Sequence, residues 1–245
     1  MTNTPSKTCL IYQPLGLGDI FWVQPIVDTI ISDGYIVYYP VGDVYYDIVS
    51  SYIIKKNLVW VRETDSFPLK EHYGRVNVYQ NDTELYVPLS YADRYYPESS
   101  VMISKYYLLS IPIRDYRKSF SLKRNYEREN KLMQTYGLVE DYIIVNKSFG
   151  TNAQQRDIVI DSEYKVHYMD INQDRSNGFH IFDWIMALEN AKQIHTVETS
   201  LCYLIDKYCL SNEIHMYEKR TSSQPNTYYN NVNLVYRNPN WIYEN

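Results

Sequence analysis

The stretch TCLIYQPLGLGDI, residues 8–20, decides the fold predicted for this chain. Residues 8–12 form a short apolar run, and the Pro and Gly residues of 13–18 favour a turn. Apolar residues then recur at helical spacing, at Ile20, Val23, Val27 and Ile30. The stretch therefore predicts a strand, a loop and a helix in direct succession.

The same unit recurs further along the chain. Asp33 and Gly34 end the predicted helix, and residues 35–39 are predicted as a second strand. A helix over 43–54 and a strand over 58–62 follow. Because strands that alternate with helices form parallel sheets covered on both faces, this half is predicted to contain such a sheet.

A second alternating series follows a charged segment near residues 111–121. Its predicted elements include strands over 142–146, 157–160 and 194–197, and an amphipathic helix over 181–191. Both halves therefore share one architecture.

The fold class predicted from these patterns is α/β, with two Rossmann-like halves and an interdomain cleft. The predicted domains are residues 1–115 and 116–245. A chain of 245 residues can form two hydrophobic cores. It is nevertheless short for two Rossmann-like halves, so a single doubly wound domain is the alternative.

Composition and charge exclude several classes of protein. The formal net charge of -5 argues against a protein that coats nucleic acid. Residues 1–7 are polar, unlike a signal peptide, and no run of 18 apolar residues predicts a transmembrane segment. The three cysteines cannot all pair with one another. We expect a cytoplasmic protein with no nucleic-acid partner.

The loop formed by Gly16, Leu17, Gly18 and Asp19 joins the first predicted strand to the first helix. Ligands of open parallel sheets bind beyond the carboxyl ends of the strands, where this loop lies. The loop is not a dinucleotide fingerprint, because Phe21 occupies the third glycine position. The residues alone leave two interpretations of Asp19, a helix N-cap and a general base.

The run PLGLGDI, residues 14–20, followed by QPI at 24–26, resembles the opening of the heptosyltransferase-like enzymes of glycosyltransferase family 9. The resemblance is most specific over the first 35 residues and over residues 183–206. It implies a fold of the GT-B class, with an acceptor-side N-terminal domain and a C-terminal domain that binds a nucleotide-sugar. It also implies that Asp19 is the catalytic base, with Gly16, Leu17 and Gly18 in the acceptor-side loop.

The loop after the strand at 142–146 is a candidate donor site. It contains small, polar and basic residues: Lys147, Ser148, Gly150, Thr151, Asn152 and Arg156. The family resemblance implies that the donor diphosphate lies near this loop. A cation there can offset the charge that develops on the leaving nucleotide, although a single basic residue is more often a solvated surface charge.

The segment Glu198, Thr199 and Ser200, between a predicted strand and helix, is a second candidate donor site. Its hydroxyls either cap the helix or bind phosphate at the helix N-terminus. The family carries a D-[ST]-G signature at this position. This chain differs, with Glu198 for Asp and Ser200 for Gly, and it has Tyr203 or Leu204 where the family has a His.

The function implied by the resemblance is glycosyl transfer in polysaccharide biosynthesis. A sugar would move from a nucleotide-sugar to a hydroxyl of a glycan or glycoconjugate, with inversion and with no cofactor. The five histidines lack the spacing of a zinc site, so no metal is predicted. A sugar-nucleotide epimerase of similar architecture and a non-catalytic subunit that binds sugar or nucleotide are the alternatives.

Overall fold

A computed structural model describes the chain over residues 7–14, 16–148, 156–217, 236 and 238–244. The chain divides into two compact units, residues 1–123 and 124–245. Within the described residues each unit contains a five-stranded sheet with helices. The α/β fold predicted from the alternating pattern is confirmed. None of the helices in the described ranges is long and apolar enough to cross a membrane.

The first unit is built on a mostly parallel sheet. Its strands are β1 (Lys7–Ile11), β2 (Tyr35–Val41), β3 (Leu58–Arg62), β4 (Tyr79–Gln80) and β5 (Glu84–Val87). Its helices are α1 (Leu17–Trp22), α2 (Gln24–Ser32), α3 (Asp43–Tyr52), α4 (Ala92–Tyr95), α5 (Val101–Tyr107) and α6 (Tyr116–Ser119). The strand order is β3-β2-β1-β5-β4, and only the β4–β5 pair is antiparallel.

This order reverses beside β1. The chain proceeds from β1 to β2 and β3 on one side, and then returns to place β5 on the other side. Ligands of open parallel sheets bind at such a reversal, beyond the carboxyl ends of the strands. In the first unit that position lies between β1 and β5, where the loop containing Asp19 follows β1.

The first predicted helix is divided into α1 and α2 at Val23. Pro25 lies in the first turn of α2. Proline lacks a backbone N–H and its ring crowds the carbonyl four residues earlier, so it fits the start of a helix but not its interior. The apolar spacing continues across both helices, which is why it predicts one helix.

The first unit extends beyond the predicted junction at residue 115. Aromatic side chains after the junction pack on the aromatic residues of α1. Phe120 stacks on Phe21 with ring centroids 4.4 Å apart, and Tyr116 lies 5.8 Å from Trp22. The charged segment near this point therefore belongs to the first unit, because buried aromatic residues fix it there.

The second unit contains a parallel sheet. Its strands are β6 (Tyr142–Asn146), β7 (Lys165–Tyr168), β8 (Gln193–Val197), β9 (Glu213–Tyr217) and β10 (Trp241–Glu244). Its helices are α7 (Tyr126–Tyr136), α8 (Ile171–Ser176), α9 (Ile185–Asn190) and α10 (Leu201–Tyr208). The strand order is β10-β9-β8-β6-β7, so the order reverses between β6 and β8. That reversal is the expected ligand position in this unit.

The strand predicted over residues 157–160 is absent, and these residues lie outside any strand. Ile158 is buried and packs on Ile143, Val145 and Val197, whereas Val159 is exposed. The alternation of buried and exposed residues is real. It arises because the segment lies on the face of the sheet instead of pairing at its edge.

Candidate active site

Gly16 shapes the loop between β1 and α1. Its φ of +84° and ψ of 92° lie in a region that only glycine adopts readily. A Cβ added at Gly16 would lie 2.3 Å from Oδ2 of Asp19, which is closer than two such atoms can approach. Gly16 therefore allows the turn and also leaves room for the Asp19 carboxylate.

Asp19 lies in the first turn of α1 and forms an ion pair with Lys105. Its Oδ1 is 2.5 Å from Lys105 Nζ. Gly16 occupies the N-cap position, and no side chain caps the helix. The interpretation of Asp19 as an N-cap is therefore wrong. Its side chain is 27% exposed, and Oδ2 has no hydrogen-bond partner among the described residues.

Lys105 lies on α5, and its side chain is only 1% exposed. Besides the ion pair with Asp19, its Nζ donates a hydrogen bond of 2.8 Å to Oε1 of Gln13. Gln13 is also buried and follows β1. A buried ammonium is unfavourable unless it is paired and hydrogen-bonded, and both requirements are met here. Neither Lys105 nor Gln13 was predicted as a site residue from the sequence.

Tyr39 of β2 lies close enough to Asp19 for the charge of the carboxylate to act on its phenol. Its hydroxyl is buried and has no hydrogen-bond partner within the described part of the chain. Burial raises the pKa of Tyr39 well above its usual value, and the negative charge of Asp19 raises this pKa further. The phenol therefore stays protonated near the carboxylate.

Asn146 joins the two candidate donor segments of the second unit. It is the last residue of β6, and its Nδ2 donates hydrogen bonds to Oγ1 of Thr196 at 3.1 Å and of Thr199 at 3.4 Å. Its Oδ1 accepts from the N–H of Ser148 at 3.3 Å. These contacts connect the ends of β6 and β8 at the point where the strand order reverses. The Asn146 side chain therefore forms hydrogen bonds with two predicted donor residues, Ser148 and Thr199.

The hydroxyls before α10 have different surroundings. Oγ1 of Thr199 accepts a hydrogen bond of 3.3 Å from the N–H of Leu201, the first residue of α10. Ser200 occupies the N-cap position without a side-chain cap bond, and Glu198 is half-buried. The Ser200 hydroxyl therefore does not cap the helix.

Lys147 and Arg156 lie at the carboxyl edge of this sheet. The Lys147 ammonium lies over the ring of Tyr168, 4.5 Å from its centroid, and the Arg156 guanidinium lies over the ring of Tyr217 at 5.3 Å. These tyrosines end β7 and β9, the outer neighbours of β6 and β8. The two cations therefore flank the reversal point.

The backbone also connects these two cations, because the Arg156 N–H donates to the Lys147 carbonyl at 3.1 Å. Three predicted donor residues, Gly150, Thr151 and Asn152, lie outside the described residues.

His195 of β8 is a core residue. Its Nδ1 lies 3.0 Å from the Tyr217 hydroxyl, and its ring stacks on His215 at 4.3 Å. Burial and, to a smaller extent, the neighbouring His215 lower the pKa of His195 to about 4, so the imidazole is neutral at pH 7. Within the described residues, no group of three or more His, Cys, Asp or Glu is placed to hold a metal ion.

Two units with Rossmann-like parallel sheets form the architecture of the GT-B class of glycosyltransferases. No protein-family model matches this chain, and no curated protein sequence matches it. Among solved structures, a glycosyl transferase family 9 protein from Veillonella parvula superposes with a TM-score of 0.55 at 10% identity. The match covers 97% of this chain and 85% of that protein. The chain therefore has the GT-B fold that the resemblance implied.

Two further solved structures match over nearly the whole chain. ADP-heptose lipopolysaccharide heptosyltransferase II of E. coli has a TM-score of 0.49 at 8% identity, with 97% of this chain and 90% of that protein covered. The iron-containing dodecameric glycosyltransferase TibC of enterotoxigenic E. coli has a TM-score of 0.48 at 10% identity. That match covers 98% of this chain and 63% of TibC.

Proposed function

We propose that this protein is a glycosyltransferase that moves a sugar from a nucleotide-sugar to a hydroxyl of a glycan or glycoconjugate. The observation that carries the proposal is that both units place reactive groups at the same topological position. A carboxylate lies beside the reversal point of the first sheet. An amide, hydroxyls and two cations surround the reversal point of the second sheet. The GT-B fold shared with a family 9 protein supports the same function.

In this proposal the first unit binds the acceptor and the second unit binds the donor. Asp19 takes the proton of the acceptor hydroxyl while the hydroxyl oxygen attacks the anomeric carbon of the donor sugar. This attack inverts the configuration at that carbon. Help from a general base of this kind accelerates a reaction by about 10²- to 10⁴-fold.

The diphosphate of the donor is proposed to bind at the carboxyl edge of the second sheet. Lys147 and Arg156 supply positive charge, and the Ser200 hydroxyl supplies a hydrogen bond beside the N-terminus of α10. These groups stabilise the negative charge of the departing nucleotide without a metal ion. The segment of Gly150, Thr151 and Asn152 is proposed to complete the donor site.

A panel of nucleotide-sugars tests this function. The panel contains ADP-heptose, UDP-glucose, UDP-N-acetylglucosamine, GDP-mannose and dTDP-rhamnose. A donor at about 100 times its Kd stabilises the folded protein by about 2.7 kcal/mol and raises the unfolding temperature. The donor that stabilises the protein should also release its nucleoside diphosphate when simple glycosides are added, and EDTA should not reduce that release.

The outcomes of the panel separate the alternatives. An epimer formed without an acceptor would indicate a sugar-nucleotide epimerase. Stabilisation without any turnover would indicate a binding subunit. Activity lost in EDTA and restored by Mn²⁺ or Mg²⁺ would contradict the metal-free mechanism.

Replacing Lys147 or Arg156 by Ala should weaken the binding of the nucleoside diphosphate and leave the binding of the nucleoside unchanged. The nucleoside diphosphate carries the negative charge that these cations would bind, and the nucleoside does not. Because a hydrogen bond to a charged group contributes about 1.5–3 kcal/mol, each variant should lose about 10- to 100-fold in affinity. Isothermal titration with both ligands measures the difference.

Lys192→Ala is the matched control for these variants. Lys192 pairs with Asp141 and directly precedes β8, so it lies at the opposite, amino edge of the same sheet. Its replacement should leave both affinities unchanged. If the Lys147 and Arg156 variants lost affinity for the diphosphate and for the nucleoside equally, these residues would not be part of the phosphate site.

A further inference from the structure

Lys105 is a buried lysine of the first unit, and lysine is almost never fully buried unless it is paired. It belongs to α5, and 86 residues separate it from Asp19 in the chain. Its neighbours Ile103 and Tyr106 are buried, and its own ammonium contacts Asp19 at 2.5 Å and Gln13 at 2.8 Å. Removing an ammonium from water is unfavourable, and such a pair often adds less stability than apolar packing does. Packing therefore does not explain this residue.

The two ends of the ion pair differ in their access to water. The Lys105 side chain is 1% exposed and the Asp19 side chain is 27% exposed. The position of the buried ammonium is fixed, because Lys105 belongs to α5 and its Nζ donates a hydrogen bond to the Gln13 oxygen. The carboxylate is the end that a substrate can reach. Its Oδ1 is bound to Lys105, and its Oδ2 lies in the space that Gly16 leaves.

We infer that Lys105 is a positioning residue for Asp19. It fixes Oδ1 of the Asp19 carboxylate, so that Oδ2 alone faces the acceptor hydroxyl. The inference rests on the proposed function. In the step it supports, the acceptor oxygen bonds to the anomeric carbon and its proton moves to Oδ2. The bond between the anomeric carbon and the diphosphate oxygen breaks, and its electron pair leaves with the diphosphate. Lys105 holds the carboxylate in place and exchanges no proton.

A double-mutant cycle with Lys105→Met and Asp19→Asn tests this role. Methionine is an unbranched side chain one atom shorter than lysine, and it removes the charge. The measured quantities are kcat and the donor KM for release of nucleoside diphosphate from the nucleotide-sugar that the panel selects. Lys55→Met is the matched control, because Lys55 forms an ion pair of the same 2.5 Å length with Asp28 in the same unit.

Lys105→Met should lower kcat by about 10- to 100-fold with the donor KM unchanged, because a misplaced base costs rate and not donor binding. In the Asp19→Asn background, Lys105→Met should change the rate by less than about threefold. The effects of the two substitutions are not additive, because Lys105 acts through the Asp19 carboxylate. Lys55→Met should leave kcat at the original value.

Lys105→Gln serves as the conservative variant. Its amide can still donate a hydrogen bond to Oδ1, so it should retain more activity than Lys105→Met. It also keeps the test decisive if the methionine variant does not fold. Equal losses from Lys105 replacement with and without Asp19 would overturn the positioning role, as would full activity in folded Lys105→Met. Absence of turnover with every nucleotide-sugar in the panel would instead overturn the proposed function.

Discussion

Replacing Asp19 by Asn is expected to reduce sugar transfer by about 10²- to 10⁴-fold, the contribution of a general base. The amide has nearly the shape of the carboxylate, and its oxygen can still accept a hydrogen bond from Lys105. It cannot take the acceptor proton. Donor affinity should stay unchanged, because the proposed donor site belongs to the second unit. Steady-state kinetics together with donor titration measure both quantities.

The stability of this variant needs a separate measurement. Asparagine leaves the Lys105 ammonium buried without a negative partner, since the Lys105 side chain is 1% exposed. We expect a loss of about 1–3 kcal/mol in the free energy of unfolding, between the values for exposed and buried pairs. Rates are therefore compared per folded molecule. Transfer at the original rate by folded Asp19→Asn would show that Asp19 is not the base.

Asp28→Asn is the control for the loss of an ion pair. Asp28 pairs with Lys55 through the same short contact as Asp19 with Lys105, and both pairs lie in the first unit. The control should lose stability and keep its transfer rate. A similar loss of transfer in both variants would assign the effect to destabilisation and not to the chemistry of Asp19.

The architecture of this chain was predictable because local patterns determine it. The run at residues 8–20 predicted β1 and the loop to α1. Gly137, which ends α7, illustrates how local such patterns are. That glycine has a φ of +63°, and its N–H donates to the carbonyl of Gln134 at the helix end. Backbone preferences of this kind act within a few residues, so one sequence is enough to show them.

The apolar alternation over residues 157–160 shows the limit of such patterns. Alternation records which side chains are buried, and it does not record what buries them. A strand in a ladder and an extended segment on the face of a sheet produce the same pattern. Ile158 packs on β6 and β8 without pairing with either strand. Only the tertiary structure distinguishes the two cases.

The partners of the candidate catalytic group were not predictable for a related reason. The residues around Asp19 allowed an N-cap or a general base, and nothing within the loop indicated a cation. Lys105 reaches Asp19 from α5 across 86 residues of sequence. The one available signal was a lysine within the segment VMISKYY, residues 101–107, whose other residues are apolar or aromatic apart from one serine. A charge at a buried helical position requires a partner.

Asn146 had a similar signal. It is an amide that ends a buried strand of four apolar or aromatic residues. The residues predicted to bind the donor, beginning with Lys147 and Ser148, come directly after it in the loop. The structure shows that Asn146 connects the two loops by bonding Thr196 and Thr199. A polar residue at a strand end beside the reversal point is therefore as informative as the loop that follows.

Replacing Gly16 by Ala is expected to abolish most transfer through the position of Asp19. The new Cβ would lie 2.3 Å from Oδ2, so the carboxylate or the loop must move. A displacement of about 1 Å at a catalytic group can cost about 100-fold in rate. The strained backbone should also lower the free energy of unfolding by about 1–3 kcal/mol. Kinetics and chemical denaturation measure the two effects.

Gly34→Ala separates backbone strain from displacement of the carboxylate. Gly34 has a φ of +90°, close to the +84° of Gly16, but nothing lies within 4 Å of the Cβ that alanine would add. Both variants therefore experience strain, and only Gly16→Ala disturbs Asp19. Gly34→Ala should lose stability and transfer sugar at the original rate. If both variants lost transfer in proportion to stability, the space at Gly16 would have no role in placing Oδ2, and the proposed base would lose its geometric support.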